Sequence, residues 1–449
     1  MTLKPYAKYK DSGVEWLGQV PEHWDVAPIK RGYIVKLGKM LQPKSQTAHD
    51  LLVPYMRASN IQSNGIDISD VNEMWLSPAE IQNLKLFSGD LLVSEGGDVG
   101  RCALWRNEVE NCYFQNSINR VRSSKSNSNT YLMYLIQSIK DKGAIDVICN
   151  KLSIAHLTAE KLNEIKISYP RYEEQTAIAT YLDQETARID ELIAHKTRFI
   201  ELLKEKRSAL ITHAVTKGLH PNVKMKDSGV EWLGQVPEHW EVKRLKFVAT
   251  YQNSNVDKKT YDDQKLVRLC NYTDVYYNEF ITDSMDFMEA TASDSEVKSF
   301  SLEQGHIIIT KDSEDPTDIG IPAIVAEPLF NVVCGYHLTI IRTTQDNCAS
   351  FVFRVLQSHP TKAQFYVESP GITRFGLGQD TIGGLSFALP PIAEQTSIAT
   401  YLDQETARID EIIQLTEQSI SLIKERRSAL ITAAVTGKID VREQDKVGV

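Results

Sequence analysis

Apolar residues recur along one stretch of the chain at Ile178, Leu182, Ile189, Leu192, Ile193, Ile200, Leu203 and Leu210. A second stretch repeats the pattern at Ile398, Leu402, Ile409, Ile412, Ile413, Ile420, Ile423 and Leu430. Alternating steps of three and four mark a single buried stripe on a long α-helix. Charged residues such as Asp183, Arg188, Lys204 and Glu205 take the other faces. Neither Pro nor Gly interrupts 172–217 or 392–436, and Gly218 and Gly437 then supply the expected C-terminal caps. The stripe predicts two helices of about 36 residues, about 50–55 Å each at the α-helical rise. A small domain cannot cover a seam that long, so the two helices are expected to bury each other as an antiparallel coiled coil.

The segments before each helix show shorter, strand-like runs: DLLVS at 90–94, HIIIT at 306–310 and LTIIR at 338–342, bounded by Gly, Asp and Ser. Proline at 170 and at 390–391 separates the last strand of each segment from its helix. The expected fold class is α+β, with two tandem mixed α/β domains separated by the two long helices. The expected segments are 1–170, 171–219, 220–390 and 391–449.

This organisation is written twice. Residues 11–24 and 227–240 both read DSGVEWLGQVPEHW. Residues 174–193 (EQTAIATYLDQETARIDELI) return at 394–413 with two differences, and KEKRSALITHAVT at 204–216 returns as KERRSALITAAVT at 424–436. Such a repeat implies a duplicated, pseudo-twofold molecule. The boxes are retained while the stretches between them have diverged, so the two variable parts are expected to do different jobs on a common frame. His23 and His239, inside the repeated EHW, read as structural.

Aligning the copies pairs Arg57 and Asn60 with Arg268 and Asn271, Gly89 with Gly305, Gly100 with Gly320, Arg122 with Arg342 and Ser153 with Thr373. The shift between copies is 216 residues at Gly89 and 220 at Gly100, so a length change falls just after a strand. There the first copy reads SEGGDVG and the second TKDSEDPTDIG. A loop that changes length and charge on a retained scaffold is a natural place for specificity.

Composition is that of ordinary globular protein, 42% hydrophobic and 24% charged over 449 residues. No apolar run is long enough to cross a bilayer, and MTLKPYAKYK lacks an apolar signal core, so a cytoplasmic protein without membrane contact is expected. Cysteines 102, 112, 149, 270, 334 and 348 form no CxxC pair and read as reduced thiols. Net charge is −9, and it is uneven: 1–170 carry 20 basic against 18 acidic residues, 221–390 carry 15 against 23. A chain so charged holds a polyanion weakly alone, and a partner must supply much of any phosphate grip.

Catalytic signatures are missing. The chain has no Asn/Asp-Pro-Pro-aromatic tetrad for a flipped adenine, no GxxxxGK[ST] and no HExxH. The fragment FGLG at 375–378 has no acidic partner on a following strand, and the ExK triplets at 296–298 and 241–243 are too common to signal a nuclease. No cofactor site is expected. A duplicated protein-docking scaffold is the alternative class, and it differs from a DNA reader in lacking salt-sensitive, sequence-dependent DNA binding.

The helix boxes LPPIAEQTSIATYLDQETARID and LIKERRSALITAAVTGKI resemble the conserved regions of type I restriction–modification specificity subunits. GHIIITKDSEDPTDIGIPAIV and GYHLTIIR resemble that family's target-recognition domains. The resemblance covers nearly the whole chain. It implies a subunit that does no chemistry itself, in which each recognition domain reads half of a split, asymmetric site on double-stranded DNA and the helices set the unread spacer. It also implies two methyltransferase subunits, which bring S-adenosylmethionine, and two restriction/translocase subunits, which bring ATP and Mg. Tyr181, Arg188, Tyr401 and Arg408 in the helix boxes are the candidate contacts to these partners.

On that reading Lys311 would donate to guanine, Asp312 or Glu314 would accept from a cytosine amine, and Ser313 would serve either way. Arg101 would be the cation of the first head, which has Glu95-Gly96-Gly97 where the family often has a basic residue. Lys30, Arg31, Lys243, Arg244 and Arg374 are candidate phosphate contacts. Arg57, Asn60, Arg122, Arg268 and Asn271 complete the candidate DNA-binding set.

Overall fold

The computed structural model describes residues 4–124, 126–149 and 156–442. Ser153, matched above to Thr373, lies outside the described residues. The chain divides into two compact units, Met1–Lys196 with Gln418–Val449, and Thr197–Glu417. Each unit holds one variable segment and one half of each long helix.

In the first unit a four-stranded antiparallel sheet runs in the order Cys102–Leu104, Leu91–Ser94, Ile118–Ser123, Tyr33–Leu37. A three-stranded sheet of Tyr113–Phe114, Leu51–Met56 and Asn72–Leu76 accompanies it. In the second unit a five-stranded sheet runs Ala249–Asn253, Leu338–Thr343, Ile307–Thr310, Pro322–Val325, Phe280–Ile281, beside a sheet of Met288–Ala292, Lys265–Cys270 and Val332–Cys334. The runs DLLVS, HIIIT and LTIIR are all strands of these sheets.

Those runs carry consecutive apolar residues at their centres because both of their faces are buried. Leu91 and Val93 enter one core while Leu92 enters another. Ile307 and Ile309 likewise separate from Ile308. Side chains alternate across a strand, so one strand serves two cores. In each unit one core continues onto the long helices, through Ile178 and Leu182 or through Ile398 and Leu402.

The long helices span Tyr172–Lys217 and Ile392–Val435, 46 and 44 residues. They exceed the predicted 36 because each helix begins six residues before the apolar stripe, at 172 and 392, and runs on past its last member, Leu210 or Leu430. Gly218 takes φ +78° and donates its N–H to the Ala214 carbonyl at 3.1 Å. Gly437 takes φ +70°; its N–H reaches Ala434 O at 3.2 Å while Lys438 N–H reaches Ala433 O at 2.7 Å, a paired Schellman cap.

Within each unit the helices pair antiparallel. In the second unit Arg207 Nε donates to Asp410 at 2.9 Å, and in the first Arg427 Nε donates to Asp190 at 2.9 Å. These are the same two repeat positions with the helices exchanged, as an antiparallel pair of duplicated helices requires.

The repeated DSGVEWLGQVPEHW box ties each head to both helices. Its tryptophans, Trp24 and Trp240, are fully buried. Trp24 packs in one core with Ile431, Ala434 and Val435, the end of the second helix, while His23 Nε2 lies 3.0 Å from Glu174 at the start of the first. Trp240 packs with Ile211, Ala214 and Val215, the end of the first helix, while His239 lies 2.9 Å from Glu394 at the start of the second. Each box therefore clasps the start of one helix and the end of the other.

Strand register corrects one alignment made from sequence. Tyr55 and Met56 pair with Tyr113 and Phe114, whereas Leu269 and Cys270 pair with Val333 and Cys334. Arg57 is thus equivalent to Asn271, and Asn60 to Asp274. Each forms the same capping arrangement: Arg57 N–H donates to Asn60 Oδ1 at 3.0 Å and Asn271 N–H donates to Asp274 Oδ2 at 2.7 Å. Arg268 is then equivalent to Pro54 of the first copy. All six cysteines are free, and burial pushes the Cys102 and Cys334 thiols up to about 12.

Candidate nucleic-acid interface

The loop whose length differs between the copies leaves the Leu91–Ser94 strand in the first unit and the Ile307–Thr310 strand in the second. Its base is built identically. Glu95 N–H donates to Ser117 O at 2.8 Å and Leu157 N–H to Glu95 O at 2.9 Å; Lys311 N–H donates to His337 O at 3.0 Å and Leu377 N–H to Lys311 O at 2.8 Å. Glu95 and Lys311 therefore occupy one backbone position with opposite charge.

Around Lys311 the second unit gathers a dense polar and aromatic cluster. Asp312–Ser313 forms a short antiparallel pair with Phe375–Gly376, which brings Arg374 beside the loop. Asp312 Oδ2 lies 2.6 Å from His337 Nδ1 and 3.8 Å from Arg374. Lys311 Nζ sits 4.9 Å from the centre of the Tyr336 ring. The Tyr272 hydroxyl has its pKa raised by burial and then by the charge of Asp318. Tyr276 stacks on Tyr272 with ring centres 5.6 Å apart and binds Asp318. Sequence reasoning named Lys311, Asp312, Ser313 and Arg374, and the structure brings all four together. It missed Tyr272, Tyr336 and His337, whose only sequence signal was their aromatic density beside Gly335 and Asn271.

The first unit presents a sparser edge. Asn116 and Ser117 stand where the second unit has Tyr336 and His337, and Gly96 faces His156. Arg101 is folded back: it donates to Ala58 O at 3.0 Å and pairs with Asp98 at 3.6 Å. Arg57 pairs with Asp70.

The remaining candidates are placed differently. Asn60 and Asn271 are buried, and the Asn60 amide donates to Asp67 O and Asp70 O, so it is spent on the fold. Arg122 makes a bidentate pair with buried Asp90, both distances 2.6 Å, at the strand end away from the loop. Arg268 pairs with Asp283 at 2.5 Å. Lys30, Arg31 and Arg244 are exposed, Lys30 paired with Glu164 and Arg31 with Asp25, while half-buried Lys243 pairs with Glu241 at 2.7 Å. On the helices Arg188, Arg408 and Tyr401 are exposed and Tyr181 is half-buried. Among the described residues no group of three or more His, Cys, Asp or Glu is arranged to hold a metal ion, and no helix is long and apolar enough to cross a membrane.

Two diverged heads, each fixed within its own unit to segments of both long helices by one repeated box, define a duplicated recognition subunit. The family model for the type I restriction modification DNA specificity domain matches residues 21–202 and again 237–425. The chain belongs to that family and carries two DNA specificity domains. It is similar to the type I restriction enzyme MjaVIII specificity subunit of Methanocaldococcus jannaschii, 23% identical with 94% of this chain and 95% of the relative covered. The EcoKI specificity subunit of Escherichia coli K12 is 22% identical, with 94% and 90% covered. In fold the chain resembles a component of a type I R-M system solved for its complex assembly and conformational transition, with a TM-score of 0.69 at 14% identity over 94% of this chain and 99% of that one. The HsdS subunit of Thermoanaerobacter tengcongensis gives 0.53 at 14% identity, over 94% and 98%.

Proposed function

We propose that the two heads read the two unlike halves of a split DNA site, with the helix pair fixing the unread spacer between them. The carrying observation is the loop base, where Glu95 and Lys311 share a backbone position but not a charge. A carboxylate accepts from a base amine; an ammonium donates to guanine O6 or N7. Unlike loops on one scaffold read unlike bases. In the second head Lys311, Asp312, Ser313 and Arg374 form the reading edge. In the first, Glu95 and the loop to Arg101 take that place. Lys30, Arg31, Lys243 and Arg244 steady phosphates.

In this reading the helix boxes, through Tyr181, Arg188, Tyr401 and Arg408, dock two methyltransferase subunits that bring S-adenosylmethionine and modify adenine. Two restriction subunits bring ATP and Mg. The assembly works in the cytoplasm. The acidic second half supports dependence on partners for phosphate contact, since the chain alone carries a net charge of −9.

The test is to sequence methylated adenines in DNA exposed to the assembled complex, for the natural chain and for Lys311→Glu. One half-site should change and the other stay. A change in both together overturns the two-head reading. Inserting whole heptads into both helices should lengthen the spacer and leave both half-sites intact.

A further inference from the structure

His337 is held in an unusual way. Its backbone takes φ +72°, a left-handed conformation that a bulky residue rarely adopts. The equivalent Ser117 has φ +88°, so the turn belongs to the scaffold while the imidazole belongs to the second head alone. That turn sets the ring beside Asp312, with Nδ1 2.6 Å from the carboxylate, and edge-on to Tyr336 with ring centres 4.2 Å apart. Arg374 Nη2 also lies 3.1 Å from Nδ1.

Nδ1 cannot donate to Asp312 and accept from Arg374 at once. The shorter, charge-assisted bond to the carboxylate decides it. Nδ1 then carries the proton, and in the neutral ring Nε2 is left as an acceptor. Asp312 is spent holding the ring and balancing Arg374, 3.8 Å away. An acceptor at Nε2 beside the exposed guanidinium donors of Arg374 complements a base edge that offers an exocyclic amine.

We propose that His337 is a specificity-determining residue of the second head, its Nε2 accepting from the exocyclic amino group of one adenine or cytosine in that head's half-site, with Asp312 as its positioning residue. This rests on the DNA-reading assignment above. It moves the direct contact on the reading edge from Asp312 to the histidine that Asp312 orients.

The test uses the specificity subunit assembled with its modification subunits and a library of sites randomised in both halves. His337→Gly suits the left-handed backbone and removes the ring. The natural complex should require one base pair, in one orientation, at one position of the second head's half-site. His337→Gly should lower that preference roughly tenfold or more, with the other half-site unchanged. Asp312→Asn, which keeps shape but releases the tautomer, should relax the same position and no other.

Preference that His337→Gly leaves unmoved overturns the proposal alone. Absence of any sequence preference in the natural complex overturns the DNA-reading assignment and this proposal with it.

Discussion

One socket on the repeated helix box is filled in two ways. In the first unit Tyr134 donates to Asp183 at 2.6 Å and meets Thr186 at 3.2 Å. In the second, Arg354 occupies the equivalent place, fully buried, and donates to Asp403 at 2.8 Å and Thr406 at 3.1 Å. Arg354 also binds Glu279, which in turn binds Arg207 on the first long helix. The helix residues are unchanged between copies; the heads have changed what they bring. A second contrast lies at the far end of the sheet. Buried Asp90 pairs with partly exposed Arg122, but the equivalents are His306 and Arg342, and Arg342 donates instead to Ser299 O. The retained frame thus specifies where a head attaches and leaves open how.

These contrasts can be broken in order of expected size. Arg122→Met leaves the Asp90 carboxylate, only 2% exposed, without its guanidinium partner and with the Phe87 N–H still donating at 2.8 Å, and should cost about 3–4 kcal/mol. Arg342→Met loses one backbone bond and should cost about 1 kcal/mol. Urea unfolding of the two variants measures the difference; equal costs would mean the Asp90 pair is no keystone.

At the helix ends, a Cβ on Gly437 would come within 2.3 Å of Pro21, whereas one on Gly218 meets nothing nearer than Trp240 at 3.2 Å. Both glycines have positive φ. Gly437→Ala should therefore cost about 2–4 kcal/mol and Gly218→Ala about 1–2 kcal/mol by the same measurement. The socket itself should give about 2–3 kcal/mol for Arg354→Met against about 1 kcal/mol for Tyr134→Phe.

The smallest effect concerns pH. Burial first, then the charge of Arg342, lowers the His306 pKa. The fold thus favours neutral imidazole, while the unfolded chain binds a proton near the ordinary value of about 6.5. This part of the stability is complete above that value and is lost as pH falls through it toward the lower folded pKa. His306→Asn should reduce the drop in urea midpoint between pH 7.5 and 5.5 by the equivalent of about 1 kcal/mol or less.

Much of this was legible in the sequence. The helix stripe, both glycine caps, the three apolar strands and the length change after Ser94 and Thr310 all follow from local periodicity and spacing. The Arg57/Arg268 equivalence failed because both copies carry an arginine three residues before an asparagine, and only backbone pairing reveals which residues correspond. His337 was missed because a positive φ at a histidine has no signature in composition. The crossing of box and helix ends was missed as well, since the identical boxes say nothing about which helix each will grip.

That crossing bears on the order in which the protein is made. The second unit is a continuous stretch, 197–417, and can close its core as soon as it leaves the ribosome. The first cannot. Tyr131 waits for the Val435 carbonyl, Ser138 for Thr432 and Tyr9 for the Gly437 carbonyl, 304, 294 and 428 residues away. Contacts so distant form late. The head synthesised first is thus the one completed last, and until translation reaches the final helical turns its apolar surface needs shelter from aggregation.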